Sequence, residues 1–219
     1  MSIDKVRVWD LPTRLFHWTL VALIAFSWWS AEYKYLDLHI WSGIAVLTLI
    51  VFRLLWGLFG SSTARFVNFV RGPGQVRAYL ADMKGWRPLG HSPLGALSVV
   101  AMLGAIAVQV ALGLFSADDD GLFAGPLANL VSLDLSDTLT GLHELWFNII
   151  LGLVGLHIAA ILFYRLVLGK KLVKPMITGR TRSVAGVDPM RPGKAWVAIL
   201  CLVVAIGFTR WIIAGAPPF

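Results

Sequence analysis

The chain has 219 residues, of which 58% are hydrophobic and 14% are charged, and ten of them are tryptophan. This composition excludes an ordinary soluble domain. The single cysteine, Cys201, excludes a disulfide within the chain.

Five apolar runs are long enough to cross a bilayer as helices. In chain order they are Leu15–Ala31, Ile40–Gly60, Leu94–Phe115, Leu142–Leu168 and Ala195–Ile213. The sequence therefore predicts an all-α membrane protein with five transmembrane helices.

The net charge of +7 is distributed over the loops in a way that predicts topology. The second loop holds Arg65, Arg71, Arg77, Lys84 and Arg87 against Asp82. The fourth holds Lys170, Lys171, Lys174, Arg180, Arg182, Arg191 and Lys194 against Asp188. The third holds Asp118, Asp119, Asp120, Asp134 and Asp137 and no base. By the positive-inside rule, the amino terminus and both basic loops face the cytoplasm, and the acidic loop and carboxyl terminus face the periplasm. Because the charge follows topology, we expect no nucleic-acid partner.

Two histidines, His143 and His157, lie fourteen residues apart on the fourth run. Fourteen residues are almost four helical turns, so both imidazoles project from nearly one helix face, about 21 Å apart along the axis. Ionisable side chains inside membrane helices usually have a function. Haem ligation near each membrane face is one interpretation, and neutral histidines bonded to neighbouring helices are the other.

The predicted topology gives each histidine a depth. His17 and His157 fall toward the cytoplasmic face, and His39 and His143 fall near the outer face. Each pair can offer two axial nitrogens to one iron, an arrangement suited to electron transfer because no position is left for oxygen. We therefore predict an inner haem held by His17 and His157 and an outer haem held by His39 and His143. The chain has no Cys-x-x-Cys-His motif, so these are haems b rather than covalently attached haem.

Four further residues are candidates for cofactor binding. Arg53 follows His39 by fourteen residues and can neutralise a haem propionate, or it can be a snorkelling anchor. Gly43 and Gly152 can make room for porphyrin or serve helix packing. His91 is expected to be structural or to contact a propionate or quinone, and it is also the substitute ligand for the inner haem.

Two polar side chains of the third run have expected structural roles. Pro93 suits the first turn of that helix, and Ser92 is positioned to cap it. Gln109 is expected to hydrogen bond between helices.

Several short motifs resemble the prokaryotic two-haem membrane cytochromes b, the group that includes the b-type subunits of nickel–iron hydrogenases. They are Val8-Trp9, Arg14-Leu15-Phe16-His17-Trp18, His39-Ile40-Trp41-Ser42-Gly43, Gly90-His91-Ser92-Pro93-Leu94-Gly95, and His143 with His157. The resemblance covers about residues 5–180. It implies ligation by the two histidine pairs and electron transfer linked to quinone. The fifth helix departs from the four-helix core of many members.

The sequence thus predicts a four-helix haem-binding domain over residues 1–180, followed by a cytoplasmic linker and a peripheral fifth helix over residues 181–219. The expected function is electron transfer across the bacterial inner membrane, between the quinone pool and a periplasmic partner. That partner is a cytochrome c or a hydrogenase-like subunit. One alternative is a superoxide:quinone oxidoreductase, against which the acidic outer loop argues because it repels a small anion. A second alternative is a haem-free transporter, which needs polar residues at the midplane that are scarce here.

Overall fold

The chain forms helices over most of its length in a computed structural model that describes residues 5–86, 89–118, 120–183 and 188–216. The helices and strands are, in order, β1 Lys5–Arg7, α1 Leu11–Glu32, α2 Leu36–Phe59, α3 Phe66–Phe69, α4 Pro73–Ala81, α5 Pro93–Leu114, α6 Leu133–Leu166, α7 Val173–Thr178, β2 Arg180–Arg182 and α8 Ala195–Ile213. Arg87 and Asp119, which contributed to the loop charges, lie outside the described residues.

Four helices of the described chain, α2, α5, α6 and α8, are long and apolar enough to cross a membrane. The bounds of α2 and α5 follow the predicted runs within four residues, and α8 has the predicted ends. Helix α1 covers the first predicted run with 22 residues. It does not belong to this group of four, so five crossings remain a prediction.

Helix α6 begins at Leu133, nine residues before the predicted run. Its 34 residues extend for about 51 Å, well beyond the hydrocarbon thickness of a bilayer. The hydroxyl of Ser132 accepts a hydrogen bond from the backbone N–H of Leu135 at 3.3 Å and caps this end. Ser136 in the extension donates to the carbonyl of Phe115 at 2.8 Å. The extension is therefore part of the fold and continues the helix outside the apolar run.

The described chain divides into two compact units, each assembled from three segments. The first unit comprises Met1–Phe16, Arg53–Ala101 and Leu153–Ile199. The second comprises His17–Phe52, Met102–Gly152 and Leu200–Phe219.

In the first unit, Asp10 joins the start of α1 to the end of α2. One carboxylate oxygen accepts the N–H of Thr13 at 2.7 Å, and the other accepts the indole N–H of Trp56 at 3.0 Å. An aspartate at this position is a favourable cap, because it satisfies a helical N–H that has no partner within the helix. Trp56 is 1% exposed, so the bond holds a large buried ring in one orientation.

A chain of hydroxyls connects α4, α5 and α6 in the same unit. The buried Tyr79 hydroxyl is hydrogen bonded to the hydroxyl of Tyr164, which lies 3.0 Å from the hydroxyl of Ser92. The Ser92 hydroxyl also accepts the N–H of Gly95 at 3.2 Å, and α5 begins at Pro93. The prediction that Ser92 caps this helix is confirmed.

In the second unit, α1 and α2 are joined by a tight turn, and α8 packs against α2. Lys34 has a φ of 60°, and the N–H of Tyr35 donates to Ser30 at 2.8 Å, which reverses the chain. The hydroxyls of Thr48 on α2 and Thr209 on α8 lie 3.0 Å apart. A core cluster unites α2, α8 and the loop after α5 through Leu47, Leu127 and Ile212. Helix α8 is thus packed into this unit through both polar and apolar contacts.

Candidate functional site

His39 on α2 and His143 on α6 lie beside each other in the second unit. Their ring centroids are 5.9 Å apart and their planes are nearly perpendicular, at 87°. Both side chains are half-buried. The tight turn between α1 and α2 positions His39 in the first turn of α2. The structure therefore brings together the two residues that the sequence pairs by depth.

Hydrogen bonds assign the same tautomer to both imidazoles. Nδ1 of His39 lies 2.9 Å from the carbonyl oxygen of Ser27, and Nδ1 of His143 lies 2.9 Å from the carbonyl oxygen of Gln109. A carbonyl oxygen only accepts, so each Nδ1 carries a hydrogen, and in the neutral form of the ring Nε2 then keeps its lone pair. Histidines that bind metals commonly donate their other ring nitrogen in this way, which fixes the orientation of the ring.

Gln109 on α5 contacts His143 at three atoms. Besides the carbonyl contact, its amide nitrogen lies 3.1 Å from Nε2 of His143 and donates to the His143 carbonyl at 3.0 Å. The prediction that Gln109 bonds between helices is confirmed. Because the amide contacts Nε2, a metal bound there would displace the amide, whereas the hydrogen bond from Nδ1 to the Gln109 carbonyl does not involve the amide.

Gly113, one turn after Gln109, lets the ring of His143 lie against α5. A Cβ at position 113 would be 2.8 Å from Cε1 of His143 and 3.1 Å from its Nδ1. Carbon atoms in contact are normally about 3.5–4.0 Å apart, so a side chain here would displace the imidazole.

His39 and His143 are the residues that would hold a haem iron in the second unit, and the distance between their rings tests whether they could do so. A metal–imidazole bond is about 2 Å long and the ring centre lies about 1 Å further on, so two imidazoles on one iron have centroids about 6 Å apart. The observed 5.9 Å agrees with that separation. Perpendicular planes are also compatible, because a metal–nitrogen bond requires no particular angle between the two ring planes. Two neutral imidazoles are a ligand set that suits a haem used for electron transfer.

The predicted inner ligands, His17 and His157, belong to different units. His17 on α1 is in the second unit, where its ring lies edge-on to Trp18 at 4.9 Å. His157 on α6 is half-buried in the first unit. Their pairing remains a prediction from the sequence.

His91 is enclosed by two aromatic rings in the first unit. Its ring centroid lies 4.6 Å from that of Trp9 and 4.4 Å from that of Phe69. Burial lowers the pKa of His91 to about 3, and the positive charge of Arg53 acts in the same direction. Among the described residues, no group hydrogen bonds to its buried Nδ1. His91 is therefore a neutral side chain with one free polar atom in a confined aromatic environment.

Arg53 is a buried cation, with only 2% of its surface exposed. Its guanidinium lies 4.7 Å from the ring centroid of Phe66, a cation–π contact. No described group hydrogen bonds to its Nη1. Complete burial argues against a snorkelling anchor, since such side chains place the charged group in water.

Gly43 and Gly152, the two glycines predicted to adjoin a cofactor, both have open space beside the backbone. A Cβ at either position would have no neighbouring atom within 4 Å. Their role in cofactor binding remains a prediction.

Two contributors to the outer pair were not predicted from the sequence. Ser27 acts through its backbone carbonyl and also through its hydroxyl, which lies 3.2 Å from Nδ1 of His39, but a serine in an apolar run does not by itself indicate this contact. Gly113 is one glycine among several in the apolar runs, and its importance depends on where His143 is placed. Gly113 could have been found from its spacing of one helical turn after Gln109. Ser27 could have been found from the short turn that brings the end of α1 close to His39.

Comparison with known families identifies the chain. A family model described as prokaryotic cytochrome b561 matches residues 8–179. Comparison with curated proteins and with solved structures gave no match. The matched range contains both predicted histidine pairs and the helices that carry them. The chain therefore belongs to the prokaryotic cytochrome b561 family and is a membrane b-type cytochrome of electron transfer.

Proposed function

We propose that this protein carries electrons through two haems b across the bacterial inner membrane, between a periplasmic redox partner and the quinone pool. The observation that carries the proposal is the outer histidine pair. His39 and His143 have centroids 5.9 Å apart, and both present an unprotonated Nε2. Bound haem supplies the one-electron couple, and the protein supplies the ligands, their orientation and an apolar surrounding.

The proposed inner haem is held by His17 and His157. Support comes from α6, which carries His143 and His157 fourteen residues apart on one continuous helix. The two side chains thus share a helix face, about 21 Å apart along the axis. That spacing suits one haem near each side of the membrane.

Arg53 and His91 are proposed to contact the charged or polar edge of a cofactor. The guanidinium of Arg53 is buried, and its Nη1 has no hydrogen-bond partner within the described part of the chain. A buried cation is costly unless it is paired; the Asp10 carboxylate attracts Arg53, and a haem propionate is a further anion that its Nη1 can engage. The buried Nδ1 of His91 likewise has no hydrogen-bond partner among the described residues, and a propionate or a quinone carbonyl can bond to it.

The strand pairing supports a membrane crossing by α1. Strand β1 precedes α1, strand β2 follows α6, and the two strands are directly paired. Paired strands lie on one side of a membrane, so an even number of helices must cross between them. Helices α2, α5 and α6 give three crossings, and α1 supplies the fourth. With α8 the chain crosses five times, so the proposed amino terminus is cytoplasmic and the carboxyl terminus periplasmic.

The haem content tests this proposal directly. We expect two haems b per chain in a pyridine haemochrome assay, and a visible spectrum of low-spin, six-coordinate iron. His143→Ala should remove the outer haem and spare much of the inner one, and His157→Ala should do the reverse. Glu144→Gln is the matched control, because Glu144 is an exposed neighbour of His143 on the same helix.

Other results would contradict either the number of haems or the assignment of the inner ligands. A native count of one haem or none would overturn the two-haem assignment. Loss of the inner haem in His91→Ala, with its retention in His17→Ala, would show that His91 is the ligand.

A further inference from the structure

Strands β1 and β2 form a two-stranded ribbon whose register places four basic side chains on one face. They pair antiparallel, with Lys5 opposite Arg182 and Arg7 opposite Arg180. Val6 and Thr181 pair between them and point to the other face, since side chains alternate along a strand. All four basic residues are exposed, and the central pair is half-buried.

This arrangement opposes like charges directly. Opposite residues of an antiparallel pair have Cα atoms about 4.5–5.5 Å apart, and like charges at that spacing destabilise the sheet. In the described parts of the chain, no carboxylate forms an ion pair with these four side chains; Asp4, next to Lys5, lies outside those parts. The positive-inside rule explains why a loop is basic, but it does not explain why bases face each other across two strands. An external anionic surface would compensate for the repulsion.

The ribbon is fixed to the start of α1 and to α7, the short helix that follows α6. The N–H of Val8 donates to the carbonyl of Gly179 at 2.9 Å, just before α1. Gly179 has a φ of 75°, and a Cβ there would lie 2.8 Å from the carbonyl oxygen of Trp9. Arg14 of α1 donates to the carbonyl of Ile177 in α7. The ribbon therefore lies at the membrane boundary, where α1 begins and α6 has ended.

The end of α6 and the segment that joins it to β2 have the composition of a segment that lies in the headgroup layer of a membrane. Leu166 is 79% exposed, and Val167, Leu172, Val173 and Ile177 are also exposed. Exposed Lys171 and Lys174 alternate with these apolar side chains. Interfacial segments typically combine two kinds of side chain. Apolar side chains extend toward the acyl chains, and neighbouring lysines extend toward the phosphates.

We infer that the β1–β2 ribbon, together with Lys171 and Lys174, is a binding surface for the phosphate groups of anionic phospholipids. Phosphatidylglycerol and cardiolipin carry that charge. A lipid fits better than a soluble anion because exposed apolar side chains adjoin the basic face. The inference uses the membrane topology proposed above but does not depend on the haems.

The test compares two charge-matched double variants of the purified holoprotein in neutral detergent. Arg7→Gln with Arg182→Gln removes one charge from each strand. Arg71→Gln with Arg77→Gln removes two exposed charges from the other basic loop, between α2 and α5. Bound phosphatidylglycerol and phosphatidylcholine are counted by native mass spectrometry. With each interfacial base contributing a few-fold to affinity, the ribbon variant should retain phosphatidylglycerol about tenfold less well, and the loop variant almost as well as the native chain.

Thermal unfolding gives a second readout, because the ribbon substitutions should affect the melting temperature differently in the absence and in the presence of anionic lipid. Without anionic lipid, the ribbon variant should melt at the same temperature as the native chain or higher, because repulsion between strands is relieved. With phosphatidylglycerol, the native chain should gain more stability than the variant. Unchanged haem spectra in both variants keep this test separate from the proposed electron-transfer role.

Three results would each overturn the inference. Equal loss of phosphatidylglycerol in both variants would show a general charge effect. Equal retention of the two lipids by the native chain would show no anionic preference. Displacement of the lipid by soluble glycerol phosphate at the same phosphate concentration would show a site for free anions.

Discussion

A backbone carbonyl holds each imidazole of the outer pair, so no side-chain substitution can remove these two hydrogen bonds directly. A substitution can instead disturb the site at the point where α5 packs against the ring of His143. Gly113→Ala places a Cβ 2.8 Å from Cε1 of that ring. We expect the ring to shift and the outer haem to be lost or its midpoint potential to change, measured by redox titration of the α-band.

Gly104→Ala on the same helix is the matched control for Gly113→Ala. A Cβ at position 104 meets no atom within 4 Å. Alanine also favours a helix over glycine by about 1 kcal/mol, so this variant should retain both haems with equal or higher stability. If both variants keep native spectra and potentials, close packing of α5 on His143 is not needed for haem binding.

His91 should make the protein sensitive to acid. Its pKa is about 3 in the folded chain, against 6.5 for an unperturbed histidine, chiefly because of burial. The unfolded chain therefore binds a proton between these values that the folded chain does not, and the folded state loses stability as pH falls from about 6.5 toward 3. His91→Phe preserves ring contacts with Trp9 and Phe69 but cannot titrate.

The measurement is the unfolding temperature of both proteins at pH 7.5, 6, 5 and 4. We expect the native chain to lose stability relative to His91→Phe over that interval. Parallel curves would mean that acid sensitivity arises from other groups.

At the scale of elements, Asp10 makes two bonds that one amide cannot fully replace. Asp10→Asn keeps one oxygen acceptor, so it can cap α1 or accept from Trp56, but not both as the carboxylate does. Asp10→Ala loses both. Each lost bond should cost about 1–2 kcal/mol, because the groups left without partners are buried. Thermal unfolding should rank native above Asn above Ala, and equal Asn and Ala variants would contradict this account.

The ends of the elements show what the sequence can predict. Helix α8 has the predicted bounds because its apolar run begins after the charged segment 188–194 and ends before a segment that contains Gly215 and two prolines. The first nine residues of α6 were missed because Leu133–Gly141 mixes leucine with Asp, Ser and Thr, a pattern that hydropathy reads as a loop. Their helix depends on the cap at Ser132 and on the bond from Ser136 to Phe115.

The other features that the sequence did not predict depend on contacts between residues far apart in the chain. The β1–β2 ribbon joins residues 5–7 to residues 180–182, and neither strand has a local signal. His39 and His143, in contrast, were paired from depth alone, because alternating loop charges fix the direction of each helix. Depth cannot identify Ser27 or Gly113, whose roles depend on the packed positions of α1 and α5.

At the scale of the whole molecule, the negative charge of the loop before α6 and of the first two turns of α6 is the feature most relevant to a partner. Asp120, Asp134 and Asp137 are exposed. Asp137 precedes His143 by six residues on α6, about 9 Å along the axis. The Asp118 carboxylate instead accepts the N–H of Phe123 at 2.9 Å and stabilises the turn. The exposed carboxylates thus create a negative field close to the proposed outer haem.

That field should attract a basic periplasmic partner and raise its association rate more than its affinity. A small basic cytochrome c is the first partner to test, by stopped-flow electron transfer at increasing ionic strength. Asp120→Asn with Asp137→Asn removes field charges, whereas Asp82→Asn with Asp188→Asn changes acids in the two basic loops. We expect the native rate to fall steeply with salt, because a Debye length of about 8 Å at physiological ionic strength screens exposed charges.

The Asp120/Asp137 variant should be slower and less sensitive to salt, and the basic-loop variant should behave like the native chain. Identical rates for all three proteins at every salt concentration would show that this loop does not recruit the partner, and the acidic residues would then only satisfy the topology rule.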